Sequence, residues 1–143
     1  MNLRDVELRG QEAPAGFEYS SASVREALGG ERLGCTLYDI PAGNQLWPYH
    51  FHWNNEEWLI VVGGTPLLRT PDGERELRAG DVVGFPEGEA GAHTVFGPGR
   101  VAVFSTRNQG AVDYPDSGKR GSGPPFDRLY TRRADAVDYW DGE

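Results

Sequence analysis

Only one cysteine, Cys35, occurs in the 143 residues, so no intramolecular disulfide can hold this chain together. Its setting in Cys35-Thr36-Leu37-Tyr38 predicts a buried thiol that acts as a small hydrophobe. Basic residues are also scarce: 14 Lys and Arg stand against 22 Asp and Glu, for a formal charge of −8. That balance disfavours a sequence-independent grip on nucleic acid, which needs cations to neutralise phosphates, and it disfavours an anionic membrane surface for the same reason. No apolar run approaches the roughly 18 residues of a membrane span, and no basic-plus-apolar leader opens the sequence. A soluble cytoplasmic protein is the default expectation. Long helical periodicity is missing as well.

What is present is punctuation. Twenty glycines and ten prolines separate short apolar runs, a pattern of many turns that points to an all-β architecture. The runs are Cys35 to Ile40, Trp47 to Trp53, Trp58 to Val62, Leu67 to Thr70, Val82 to Phe85, His93 to Phe96 and Val101 to Thr106. So many in so short a span suit only a sandwich or barrel. Pro71-Asp72-Gly73 predicts a hairpin between its flanking runs. The expected layout is one domain: an N-terminal arm over 1–33, a barrel core over 34–107, and a C-terminal loop and tail over 108–143 that pack on the barrel. Residues 107–125 lose alternation and read as a long loop or strap. The last apolar segment is Phe126 to Tyr130.

All three histidines fall in one pattern. His50 and His52 are two apart, so on an extended strand both imidazoles leave the same face. Glu57 would point the other way by simple alternation. Trp53-Asn54-Asn55-Glu56 reads as a reversal or bulge that resets the facing, so that the carboxylate can enter from a neighbouring strand. His93 follows the loop Pro86-Glu87-Gly88-Glu89-Ala90-Gly91 and would close the site from the far side. Three neutral imidazoles and one carboxylate suit one divalent transition metal, Mn, Fe, Ni, Co or Zn, rather than calcium or magnesium.

These residues resemble the two signature motifs of the cupin superfamily. Motif one is similar to Gly43 … His50-Phe51-His52 … Glu57 … Gly64, with its first gap one residue longer than usual. Motif two is similar to Gly80-Asp81 … Pro86-Glu87-Gly88 … His93; its gap from Gly88 to His93 is two residues longer, and Gly97 stands where an asparagine is expected. The resemblance covers about residues 34–107. It implies a double-stranded β-helix, the jelly-roll or cupin barrel, with metal held by His50, His52, Glu57 and His93. Glu56 is the competing carboxylate, but only Glu57 leaves the family's gap before Gly64. Tyr114 to Lys119 and Asp138 to Glu143 resemble features of a subgroup of small bacterial cupins.

Trp47, Tyr49, Phe51 and Trp53 alternate with Pro48, His50 and His52, so they are expected to face away from the metal, in the core or between two copies of the chain; a homodimer is the expected assembly. Trp140 and Tyr139 could tuck over the barrel mouth or into a partner. Asp116, Ser117, Lys119 and Arg120 could form a lid. Arg69, Arg78, Arg100 and Arg107 are expected on solvated edges, though one pointing inward would hold a carboxylate or phosphate. Two functions stand out: an enzyme whose metal binds a small oxygen-rich metabolite, of isomerase, epimerase, lyase or dioxygenase type, or a non-catalytic module binding a metabolite or sugar. A transcriptional regulator would need a DNA-binding domain for which residues 1–33 are too short and irregular.

Overall fold

The structure, a computed structural model, describes residues 1–123 and 127–142. Phe126, the start of the last apolar segment, lies outside the described residues. Among the described residues thirteen strands follow one another: β1 (Arg9–Gly10), β2 (Ser20–Ser23), β3 (Gly34–Ile40), β4 (Phe51–His52), β5 (Glu57–Gly64), β6 (Leu67–Thr70), β7 (Gly73–Glu76), β8 (Val82–Phe85), β9 (Thr94–Phe96), β10 (Gly99–Ser105), β11 (Val112–Tyr114), β12 (Lys119–Ser122) and β13 (Leu129–Arg132). They form three sheets in the orders β1-β2-β3-β10-β5-β8, β13-β12-β11-β4 and β7-β6-β9. Adjacent strands in the sheets run antiparallel. This is the all-β architecture expected from the run spacing and the jelly roll implied by the family resemblance. No helix among the described residues is long and apolar enough to cross a membrane.

Period-two alternation sorts the side chains of the largest sheet. Leu59 and Val61 of β5 and Val101 and Val103 of β10 turn to one face, where they meet Leu46, Leu68, Leu77, Phe85 and Val95 in the main core. Each such fully buried aliphatic chain stabilises the fold by roughly 1.5–3 kcal/mol. Leu37 and Ala102 turn to the opposite face, where Leu3, Val6 and Leu8 pack over them beside Cys35. Burial pushes the Cys35 thiol above its ordinary pKa, as suits a small core hydrophobe. The Pro71-Asp72 turn joins β6 to β7, in register Thr70↔Gly73.

Three stretches differ from the sequence reading. Residues 1–33 contain β1 and β2, which extend the large sheet beyond β3; Ser20-Ser21-Ala22-Ser23 is too polar to show alternation. The run from Trp47 to Trp53 is not one strand, since only Phe51–His52 is regular and Gln45 and His50 make isolated bridges. Pro48 has no N–H to give a ladder, and the Trp47 carbonyl accepts instead from Gln45 Nε2 and Thr94 Oγ1, at 2.7 and 2.6 Å. The third stretch, 107–125, contains the β11–β12 hairpin, turned through residues 115–118 with Gly118 at φ 62°. The turn-rich composition there hides strands of three and four residues.

Candidate metal centre

His50 and His93 face each other across an antiparallel bridge, exchanging backbone hydrogen bonds of 3.1 and 2.8 Å. This pairing sets their imidazoles side by side, with ring centroids 4.7 Å apart. His50 Nδ1 lies 2.9 Å from the Pro48 carbonyl and His93 Nδ1 lies 2.9 Å from the Gly91 carbonyl. A carbonyl can only accept, so each Nδ1 carries the proton and each Nε2 turns a lone pair into the site. His52, on β4, presents Nε2 at 3.2 Å from His50 Nε2. Glu57, the first residue of β5, places Oε2 3.3 Å from His52 Nε2 and 3.5 Å from His93 Nε2.

The facing of Glu57 is reset as its spacing required. Asn54 adopts φ 61°, a left-handed conformation that asparagine tolerates, and the chain reverses between β4 and β5. Asn55 is buried at this reversal; it accepts a hydrogen bond from Thr106 Oγ1 at 2.8 Å and points Nδ2 at Glu57 Oε1, 3.4 Å away. Sequence reasoning missed Asn55 as a positioning residue, although a buried amide just before a ligand carboxylate is the available signal. The competing Glu56 is exposed and accepts from Trp58 Nε1.

Do these residues fit an ion? His50, His52 and Glu57 offer ligand atoms all within 4.8 Å of one another. His93 stands outside that tightest group, but its Nε2 is buried and has no hydrogen-bond partner among the described residues. Metal–ligand bonds of about 2.1 Å set neighbouring ligand atoms roughly 3 Å apart, close to the 3.2, 3.3 and 3.5 Å seen here. A buried lone pair without a donor is otherwise expensive to retain. The donor set therefore fits a borderline divalent cation.

The electrostatics agree. Burial, with the neighbouring His93 and His52, pushes His50 down to about 3, and burial lowers His93 too, so both rings are neutral and ready to ligate. Burial alone would raise Glu57, yet the hydrogen bond from His52 and the three imidazoles outweigh it and hold the carboxyl below its ordinary value. In chelator-treated protein, neutral folded imidazoles mean that the unfolded chain takes up more protons below about pH 6.5. Stability from these rings is thus present above that pH and lost as pH falls toward the folded value of about 3 for His50. Urea unfolding should give a lower midpoint at pH 5 than at pH 7, a range above the titration of most carboxylates; equal midpoints would contradict the burial of neutral rings.

A cavity of about 280 Å³ opens beside the three ligands of the tight group. Its walls include Tyr38, Trp47, Tyr114 and Arg128, of which the sequence singled out only Trp47, and with the opposite facing. Trp47 stands edge-on to His50 and His93, at 5.7 and 6.2 Å, because the irregular backbone around Pro48 breaks the alternation. Tyr49 and Phe51 do turn into a small core with Ala92. Trp53 is exposed and donates to Asp113. Tyr114, from the unexpected hairpin, stacks on His50 at 6.0 Å. Of the proposed lid, Asp116 is bound by both terminal nitrogens of Arg69, and Arg120 pairs with Asp113. Arg69 also lies 4.0 Å over the Tyr49 ring, and Arg100 pairs with Asp39, so neither points into the site. Tyr139 and Trp140 are exposed.

No protein-family model matches the chain. In structure it is similar to a provisionally named sugar phosphate isomerase from Acidithiobacillus ferrooxidans, with TM-score 0.83, 26% identity, and coverage of 95% of this chain and 91% of that one. It is also similar to a cupin-superfamily sugar phosphate isomerase from Silicibacter pomeroyi, with TM-score 0.80, 22% identity, and coverage of 99% and 97%. In sequence it is 32% identical over 100 residues to nitrile hydratase subunit beta from a Rhodococcus species. That match takes in 65% of this chain and 43% of the relative, so the chain spans less than half of the relative's length. The chain has the cupin-type barrel fold that these solved structures share.

Proposed function

We propose that this cupin holds one divalent transition metal through His50, His52, Glu57 and His93 and acts on a small oxygen-rich metabolite seated in the adjoining cavity. The observation that carries the reading is the buried, unpartnered Nε2 of His93 beside the Glu57 carboxylate. When bound, the ion supplies Lewis acidity at an oxygen of the ligand, the chemistry of an isomerase, epimerase or lyase. The protein's own residues do the rest. Pro48 and Gly91 carbonyls fix the imidazole tautomers, and Asn55 steadies Glu57. Burial pushes Tyr114 up to about 12 and Tyr38 likewise, so both phenols remain protonated, able to donate a hydrogen bond to a developing oxyanion. Trp47 narrows access of water to the ligand atoms.

Among the reaction types, isomerisation of a sugar phosphate or similar hydroxycarbonyl compound is favoured, because the Acidithiobacillus relative that covers nearly the whole chain carries that name. Two copies of the chain are proposed to associate through apolar surface such as Trp58 and Val82, exposed on the neighbouring strands β5 and β8. The decisive test of the metal is elemental analysis of freshly purified protein beside a His50→Ala variant. About one equivalent is expected in the parent and little in the variant; equal content in both would remove the basis of the assignment. Incubation of the loaded protein with a panel of hydroxycarbonyl phosphates, followed by product analysis, then separates catalysis from binding alone.

A further inference from the structure

Three arginines of this acidic chain are each clasped by a carboxylate at short range. Arg69 is clasped by Asp116, Arg100 by Asp39 and Arg120 by Asp113. Arg128 differs: it lines the cavity, and among the described residues no carboxylate lies within ion-pair distance of it. Among the described residues its Nε is buried with no hydrogen-bond partner, while the rest of the guanidinium lies against the Tyr114 side chain. A guanidinium placed so is poised for a bidentate partner.

The backbone makes room for it. Gly121 of β12 lies opposite Tyr130 in the ladder, and a Cβ added at 121 would stand 3.1 Å from Arg128 Cδ and 3.0 Å from the Tyr130 ring. A bare glycine thus lets the arginine lie across the strand toward the cavity. Among the described residues only one carboxylate, Glu57, lines the same space. A divalent ion, one carboxylate and one guanidinium sum to a positive site inside a protein of formal charge −8. Such a site concentrates anions. Lys119 adds a second cation near this wall, 5.4 Å over the Tyr114 ring and 6.0 Å over the Tyr130 ring.

We infer that Arg128 forms an anion subsite at the wall of the cavity, holding a phosphate ester or carboxylate group of the ligand whose oxygens reach the metal end. Contact between the ligand's oxygens and an ion rests on the proposed metal reading; the anion subsite itself does not. The cavity of about 280 Å³ holds roughly nine waters at about 30 Å³ each, so a compact ligand would engage both ends. The aromatic surfaces of Trp47, Tyr38 and Tyr114 line the same cavity.

The test uses the full chain, as parent, Arg128→Lys, Arg128→Met and Gly121→Ala, with circular dichroism and metal content measured for each. Calorimetric titrations compare dihydroxyacetone phosphate with dihydroxyacetone, and glycerate with glycerol. Parent protein should bind the anionic member of at least one pair roughly tenfold or more tightly, the scale of one charge-assisted hydrogen bond or better. Which pair responds tells phosphate from carboxylate. Arg128→Met should erase the preference with metal content unchanged, Arg128→Lys should keep part of it, and Gly121→Ala should weaken it by displacing the side chain. Inorganic phosphate and acetate titrated into chelated protein read the subsite without any ion, so a failed metal assignment leaves this arm decisive. Equal affinity for charged and uncharged members in folded parent protein, or a preference that survives in folded Arg128→Met, would overturn the inference.

Discussion

Substituting His93 with leucine is expected to weaken metal binding by at least about 100-fold, since even removal of an outer hydrogen-bond partner costs 10–100-fold. The folded, chelated protein should change far less. His93 is buried and stacked on Phe85 with centroids 3.7 Å apart, so an apolar replacement of similar bulk keeps the packing. It also loses a hydrogen bond to Gly91 and removes an unsatisfied nitrogen. These effects oppose one another at about 1 kcal/mol each. The contrast appears when metal is added. Parent protein should gain about 4 kcal/mol at an ion concentration 1,000 times its Kd, and the variant almost nothing. Thermal unfolding with and without chelator reads both quantities. A variant that still shows the parent's metal-dependent rise would exclude His93 as a ligand.

Gly91→Ala should be nearly as damaging, without touching any ligand atom. A Cβ at this position would fall 1.7 Å from the Pro86 carbonyl oxygen, a backbone atom that cannot rotate away. The loop must then move, and with it the Gly91 carbonyl that orients His93 through Nδ1. Loss of that orientation should weaken metal binding by roughly 10–100-fold, and forcing bulk into a closed turn should destabilise the chain by about 1–3 kcal/mol or more. Competition against a chelator of known affinity measures the first, and denaturant unfolding the second. Unchanged affinity in a folded Gly91→Ala protein would show that the carbonyl does not govern the imidazole.

The same loop shows why the second motif departs from the usual spacing. Its lengthened gap contains a short 3₁₀ turn, Glu89–Gly91, that ends where the acceptor for His93 is needed. Gly97 is likewise explained: a Cβ there would approach the Ile40 and Pro41 carbonyl oxygens to 2.4 and 2.2 Å, so an asparagine has no place. Neither reason is visible in the letters, because both depend on backbone brought from elsewhere in the chain.

Legibility follows chemistry and periodicity. The strands Leu67–Thr70 and Val82–Phe85 are legible to the residue, since short β-type runs bounded by strong turn residues leave little choice of ends. The convergence of His50, His52 and Glu57 is also legible, because few roles suit such spacing. The cavity wall is not. Tyr114 and Arg128 lie beyond the motifs, in short strands and turns whose pairing partners are distant, and Tyr38 resembles any strand aromatic. Trp47 is misplaced when alternation is carried through Pro48, where the backbone is irregular.

The three sheets each contribute to the centre: Glu57 opens a strand of the largest, His52 sits in a two-residue strand of the second, and His93 immediately precedes β9 of the third. A cation gripped there would act as a rivet through all three layers, so that loading couples to the whole molecule and not to one loop. Amide exchange would then slow at the seams, far from the ion itself, and β4, with so little ladder of its own, would show the change most.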